Sequence, residues 1–211
     1  MAYDLEEQEQ IDALKGWWVD NGKLVMLVVI SALVAIAAFQ GWRYYRAQQA
    51  EKASLLYAQL SEAERSNDSK RVRDIAAQII DRYGSSQYAG MAALAAAKAG
   101  VSTGEMDDAK KRLQWAADNA KEEEMRDIAR LRLAGVLLDE KKYDEALKLL
   151  SAKTGDAFAV FYADLKGDVL SAQGKAAEAR AAYQQALDKS DPGSNYRRLV
   201  ELKMDALGEA K

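Results

Sequence analysis

The chain has 211 residues, a formal net charge of −3, 49% hydrophobic residues, and neither cysteine nor histidine. Those absences remove disulfides, thiol redox chemistry, Cys- or His-centred nucleophilic dyads and the ordinary zinc sites, and the near-balanced charge gives no basic field for nucleic acid. There is also no Gly-rich phosphate loop, no metal-ligand spacing and no carboxylate pair singled out by its surroundings; the chain is therefore not expected to be an enzyme, and no catalytic, cofactor-binding or metal residue is assigned.

Residues 1–10 lack apolar periodicity and read as a disordered acidic tail. Residues 11–19 read as a short interfacial helix turning Ile11, Leu14 and Trp18 to a membrane surface, broken by Asn21 and Gly22. Residues 24–42 follow without a single charge between Lys23 and Arg43. As a helix they reach roughly 28 Å, near the thickness of a bilayer's hydrocarbon core. Trp17 and Trp18 precede the segment, and Trp42, Tyr44 and Tyr45 interleave with Arg43 and Arg46 after it, the placement of interface anchors at two headgroup layers. Two other readings compete with a retained transmembrane helix. A buried core helix would need apolar segments around it that the chain lacks. A signal peptide cleaved after Ala35, Ile36 and Ala37 would begin with positive charge, whereas Asp4, Glu6, Glu7, Glu9, Asp12 and Asp20 face only Lys15 and Lys23. Within the span, Ser31, Ala32, Ala35 and Ala38 form a small-residue stripe where another helix could approach, or simply sit in lipid.

Residues 43–52 read as a juxtamembrane linker that carries the helix onward, and a soluble domain is expected over 53–211. From there the pattern is helical throughout, with one proline in the whole chain. Segments 104–116, 141–153 and 174–186 align without gaps: Ala109, Ala146 and Ala179 coincide, with Leu113, Leu150 and Tyr183 four residues later and Ala97, Ala134 and Gly167 twelve residues before. Ala76, with Ile80 and Tyr83 after it, reads as an earlier degenerate copy, giving spacings of 33, 37 and 33 residues, against a tetratricopeptide period of roughly 34. Small residues at the middle of paired helices allow close approach, and the large residue one turn later fills the space against the next pair. Gly104 and Gly174 suit a left-handed turn between paired helices; Lys141 holds that place in the middle copy, which leaves its turn type open. After the turn at Asp191, Pro192, Gly193 and Ser194, a last helix with Leu199, Leu202 and Ala206 on one face is expected to cap the stack. The expected fold is all-α: one N-terminal transmembrane helix, then a tetratricopeptide-like solenoid of about four helix pairs with a capping helix. A plain helical bundle is the competing fold.

The order of these pieces resembles the ancillary SecYEG translocon subunit family, the YfgM-like proteins of the bacterial inner membrane. The resemblance is carried by the acidic tail, by Trp17, Trp18, Asn21, Gly22 and Lys23 entering the span, and by Gly41, Trp42, Arg43 and Tyr44 leaving it. It continues through residues 53–57, Leu131 to Ala134, Ala163 to Asp168, Gly174, Ala179 and Arg180. It implies a single-pass inner-membrane protein with its N-terminus in the cytoplasm and its repeat domain in the periplasm. The implied partners are the SecYEG translocon, a membrane-anchored periplasmic prolyl isomerase (PpiD-like) and unfolded secretory clients, with the lipid bilayer around the span. The implied role is to assist translocation or folding of secretory and outer-membrane proteins. The alternative function is a membrane-tethered regulatory adaptor that sequesters a signalling protein. Charge bias disagrees on topology by one residue, with Lys15 and Lys23 before the span against Arg43, Arg46 and Lys52 after it; the resemblance decides for the periplasm because the bias weakens for long translocated domains.

In a solenoid the first helix of each pair lines the concave surface. Positions six before, three before and four after the small residue give Met91, Leu94 and Val101, then Ile128, Leu131 and Leu138, then Phe161, Asp164 and Ser171. The apolar members, Met91, Leu94, Val101, Ile128, Leu131, Leu138 and Phe161, are the candidate partner or client surface; packing between repeats is the other use for such a row. The charged run from Lys121 to Asp127 reads as a solvated helix start, and Trp115 as packed beneath a neighbouring loop or as an interface anchor.

Overall fold

The computed structural model describes residues 2–208, with side chains from residue 9 onward. Nine α-helices and no strand occur among the described residues: α1 (Ala2–Arg65), α2 (Ser69–Tyr83), α3 (Gln87–Thr103), α4 (Met106–Asn119), α5 (Glu123–Asp139), α6 (Tyr143–Leu150), α7 (Asp156–Ala172), α8 (Ala176–Lys189) and α9 (Asn195–Ala206). The chain divides into two compact units, with the boundary between Gln48 and Gln49.

In the first unit α1 is unbroken. Met1 lies outside the described residues, but the expected disorder of the rest of the tail and the expected break at Asn21 and Gly22 are both corrected by continuous helix. The cause at the break is local. The Asn21 side-chain amide donates to the Trp17 carbonyl one turn back, 3.1 Å away, so it supports the helix instead of competing with it. The Trp18 ring lies over Gly22, 3.2 Å from where a Cβ would stand. An 18-residue window of this helix has mean hydropathy 2.5 and none of it is buried, so it is long and apolar enough to cross a membrane.

The second unit is a row of four helix pairs: the end of α1 with α2, α3 with α4, α5 with α6, and α7 with α8, with α9 last. Leu60 and Ala63 of α1 share a core with Val72, Ile75 and Ile79 of α2 and Ala92 and Ala96 of α3. The middle core runs from Ile80 through Leu94, Leu113, Leu133 and Leu150 to Val169, and the last joins Leu170, Tyr183 and Leu187 to Val200 of α9. Trp115 packs against both of the first two cores, next to Gly84 in the α2–α3 connection.

The four turns between paired helices share one backbone conformation. Asn67, Gly104, Lys141 and Gly174 have φ of 55°, 78°, 60° and 77°. The amide of the residue after each donates five residues back, to Ala63, Gly100, Leu137 and Leu170, at 2.8–2.9 Å. Lys141 therefore makes the same turn as the glycines, accepting the left-handed strain that a Cβ brings. This fourfold turn also corrects the register of the first copy. Counting five residues on from Asn67 puts Val72 at the place of Ala109, and Ala76 at the place of Leu113. Turn to turn, the repeats are 37, 37 and 33 residues apart. Aligning Ala76 with Ala109 slips the helix by one turn, which keeps the same residues on the same face, so apolar spacing alone does not distinguish the two. The first pair exchanges sizes: Val72 is larger than the alanines it replaces, and Ala76 is smaller than Leu113. Both are at most 3% exposed.

The small positions are packed as expected, whereas Tyr183, expected against the next pair, lies within its own pair, between α7 and α8. Ala97, Ala109, Ala134, Ala146 and Ala179 are 0–2% exposed. A Cβ on Gly167 would stand 2.4 Å from the Tyr183 ring, so only glycine lets α7 and α8 approach with that ring between them. The capping helix is present but rotated. Leu199 and Leu202 are 46% and 62% exposed and Ala206 is also exposed, while Val200 is fully buried and Tyr196, Met204 and Leu207 pack beside it. The buried stripe includes Tyr196 and Lys203, whose polar tips hide it from a count of apolar residues.

Candidate partner-binding surface

The candidate row from the first helices of each pair resolves into two kinds of position. Leu94 is 8% exposed and belongs to the middle core beside Ala129 and Leu133 of α5. Ile128, Leu131 and Leu138 are half-buried against that same core, and Met91 is half-buried on α3. Only Val101 and Phe161 are open, at 43% and 40% exposure. The expectation that Leu94 lines an open surface is thus corrected: the position three before the small residue faces the next helix pair, where burial of an aliphatic chain yields about 1.5–3 kcal/mol.

At the fourth pair that position carries a carboxylate, and α9 supplies its partners. Tyr196 Oη donates to Asp164 Oδ2 at 2.5 Å, and Lys203 Nζ donates to both Asp164 oxygens at 2.9 Å and to Asp168 Oδ2 at 2.8 Å. Tyr183 Oη donates to Asp168 Oδ1 at 2.8 Å. The Phe161 ring meets Tyr196 edge-on at 4.8 Å. Burial and the Asp168 acceptor push the Tyr183 phenol up, and burial and the Asp164 acceptor do the same to Tyr196. Burial opposes the Lys203 charge, but its hydrogen bonds to Asp168 and Asp164 outweigh that and hold its pKa above the usual value. Phe161, a candidate contact residue, is thereby one wall of the cap junction.

A second buried carboxylate, Asp127, is 0% exposed. It accepts from Tyr162 Oη at 3.0 Å, Thr154 Oγ1 at 2.9 Å, the Gly155 amide at 3.1 Å and Arg130 at 3.2 Å, tying the α6–α7 connection to α5. Burial, then the Asp127 acceptor, pushes the Tyr162 phenol up to about 12. Arg126 meanwhile donates to the Ala120 and Lys121 carbonyls at 2.7 and 3.0 Å, closing the end of α4. The charged run read as a solvated helix start is therefore partly internal, and its last residue is a hub. Nothing in spacing marks Asp127; the alternation of Arg126, Asp127 and Arg130 with Ala129 and Leu133 on one helix was the available signal.

An open groove lies one step around the helices. Between α3 and α5 is a groove of about 520 Å³ with Val101, Leu113 and Val136 on its floor and Lys98 and Arg132 exposed above it. Periodicity missed Lys98 and Arg132 because charged residues on a helix read as solvated by default. Among the described residues no cluster of acidic side chains is placed to hold a metal ion.

On α1, Trp17, Trp18, Trp42, Tyr44 and Tyr45 are 50–67% exposed, and Ser31, Ala32, Ala35 and Ala38 are exposed along the same helix. Arg46 lies 4.2 Å from the Trp42 ring and Arg43 5.9 Å from the Phe39 ring, so cations and rings meet at one end of the apolar segment.

A family model of a tetratricopeptide repeat-like domain matches residues 15–209, beginning ahead of the apolar segment. The ancillary SecYEG translocon subunit of Neisseria gonorrhoeae is 32% identical over 208 residues, covering 98% of this chain and 100% of that protein. The chain belongs to the ancillary SecYEG translocon subunit family. The subunits of that name from Haemophilus influenzae and Escherichia coli are each 30% identical, over 88% and 95% of this chain and 91% and 96% of their own length. No solved structure matches. The matches to this ancillary translocon subunit family cover both the apolar helix and the repeats.

Proposed function

We propose that this chain is a membrane-anchored interaction protein that associates with the SecYEG translocon and assists secretory and outer-membrane proteins as they emerge, as a chaperone-like ancillary subunit. The observation that carries this reading is the joining, in one family-matched chain, of a membrane-length apolar helix to a helical-repeat domain. The helix, held by Trp17, Trp18, Trp42, Tyr44 and Tyr45 at the two interfaces, concentrates the repeats beside the channel and raises their encounter rate with nascent segments. Ser31, Ala32, Ala35 and Ala38 provide the face for a helix of the translocon or of a membrane-anchored prolyl isomerase. The N-terminus lies in the cytoplasm and the repeats in the periplasm of a bacterial inner membrane, and the concave side of the repeats holds partners.

Two measurements test it. A photo-crosslinker at Ala35 is expected to capture translocon subunits, and protease added to intact spheroplasts is expected to digest the repeat domain. Protection until lysis would put the repeats in the cytoplasm and overturn the translocation role in favour of the sequestering adaptor.

A further inference from the structure

We propose that the α3–α5 groove is a selective subsite for an extended polypeptide segment in which an apolar side chain stands next to a carboxylate. This rests on the partner-holding reading above and names the chemistry of what is held. The floor is apolar, formed by Val101, Leu113 and Val136, and the groove measures about 520 Å³, room for a large aliphatic or aromatic side chain. Gly135 leaves it unobstructed: a Cβ there would meet nothing within 4 Å.

Two cations, Lys98 from α3 and Arg132 from α5, line this groove, both exposed. Several basic side chains of the repeats are committed to carboxylates, among them Lys110 to Glu140, Arg73 to Glu105, Arg130 to Asp127 and Lys203 to Asp164. Among the described residues Lys98 and Arg132 make no ion pair, so their charge is available to a ligand carboxylate. Asp139, on the same groove, lies seven residues along α5 from Arg132, about 10 Å, so an acidic group is favoured at one end only and the segment gains a direction. Lys98 also lines a smaller cavity against Ala63 and Asn67 at the end of α1. The two openings share Lys98 and Ser102, so the lined surface runs from the end of α1 past α3 to α5, which suits an extended strand of polypeptide better than a compact ligand.

The test uses the full chain in nanodiscs and three labelled unstructured peptides, identical except that the residues before a central leucine are Glu-Glu, Gln-Gln or Lys-Lys. Anisotropy is expected to rank them acidic, neutral, basic, with roughly tenfold between the first two and loss of the difference in high salt. Lys98→Glu with Arg132→Glu should reverse the order, and Gly135→Phe should abolish binding of all three, each with unchanged melting. Equal affinities, no binding, or variants that bind as the parent does would overturn the subsite. Those results leave the Ala35 crosslink untouched, whereas loss of that crosslink with the peptide ranking intact would sink the translocon reading and spare the groove.

Discussion

Helices α3 and α7 hold the same place in their pairs, yet they are joined to the next element by opposite chemistry. From α3, Leu94 enters the core shared with α5; from α7, the equivalent Asp164 is met by Tyr196 and Lys203 of α9. Another repeat can be bonded by interdigitating aliphatic side chains, because it presents an apolar helix in return. A terminal helix must also keep a wet outer face, and a buried carboxylate with named donors fixes its rotation where apolar packing would accept several. The Asp164 contacts set the rotation of α9, with Tyr196 and Lys203 turned in and Leu199 and Leu202 left outward.

The largest way to break this contrast is to put the α7 chemistry into α3. Leu94→Asp buries a carboxylate with no cap helix to meet it, which is expected to cost about 5 kcal/mol or more and to unfold the repeat domain on thermal or urea titration. Leu131→Asp, at a half-buried site, should be milder. If both variants melt as the parent does while partner binding disappears, these side chains belong to a binding surface and not to the core.

Next in size is the hub of α5. Asp127→Ala strands Tyr162 Oη, Thr154 Oγ1 and the Gly155 amide without their shared acceptor, at about 3 kcal/mol. Hydrogen exchange should show the α6–α7 connection opening first, before α3 and α4. Uniform loss of protection would mean that Asp127 supports the domain as a whole instead of that junction.

How much of this was legible in the sequence follows from the same contrast. Wherever packing is apolar and the period is helical, as at Ala97, Ala109, Ala134, Ala146 and Ala179, spacing alone located the buried positions, because a small residue has one use there. Where a contact joins a polar tip to a buried partner, spacing is silent: Asp127, Asp164 and Lys203 look like surface residues until their partners, 27 to 39 residues away, are brought to them. The first repeat failed differently. Its turn residue is Asn67, not glycine, so nothing anchored the register and a one-turn slip to Ala76 looked equally periodic.

The polar junctions also make alkaline pH a selective probe. Tyr162 is pushed up to about 12 from 10.0, and Tyr183, Tyr196 and Lys203 are raised as well. Each group holds its proton more tightly folded than unfolded, so the stability it contributes is complete below its unfolded pKa and is lost as pH rises through its folded one. Stability should therefore hold to about pH 10 and fall above it, with tyrosinate absorbance appearing together with loss of helix. Tyr196→Phe should reduce the slope. A flat stability curve from neutral pH to pH 12 would show that the cap junction does not depend on protonated phenols.

The smallest effect concerns the turn that all four pairs share. Lys141 sits at φ 60°, where Gly104 and Gly174 sit at 78° and 77°. A side chain there costs roughly 1–2 kcal/mol of local strain, and glycine removes it while giving back some unfolded-chain entropy. Lys141→Gly should thus stabilise the domain by about 0.5–1 kcal/mol, and Gly104→Ala should destabilise it by a comparable amount. Both are surface changes with no Cβ neighbour to confuse the reading at Gly104. Read together in urea titrations, they ask whether the repeat is held by its turn conformation or only by its core. Opposite signs of similar size would mean that the turn contributes independently of sequence in every pair. If Lys141→Gly instead destabilises, the middle pair draws more from the lysine than its strain costs, and the repeats are less alike than their backbones.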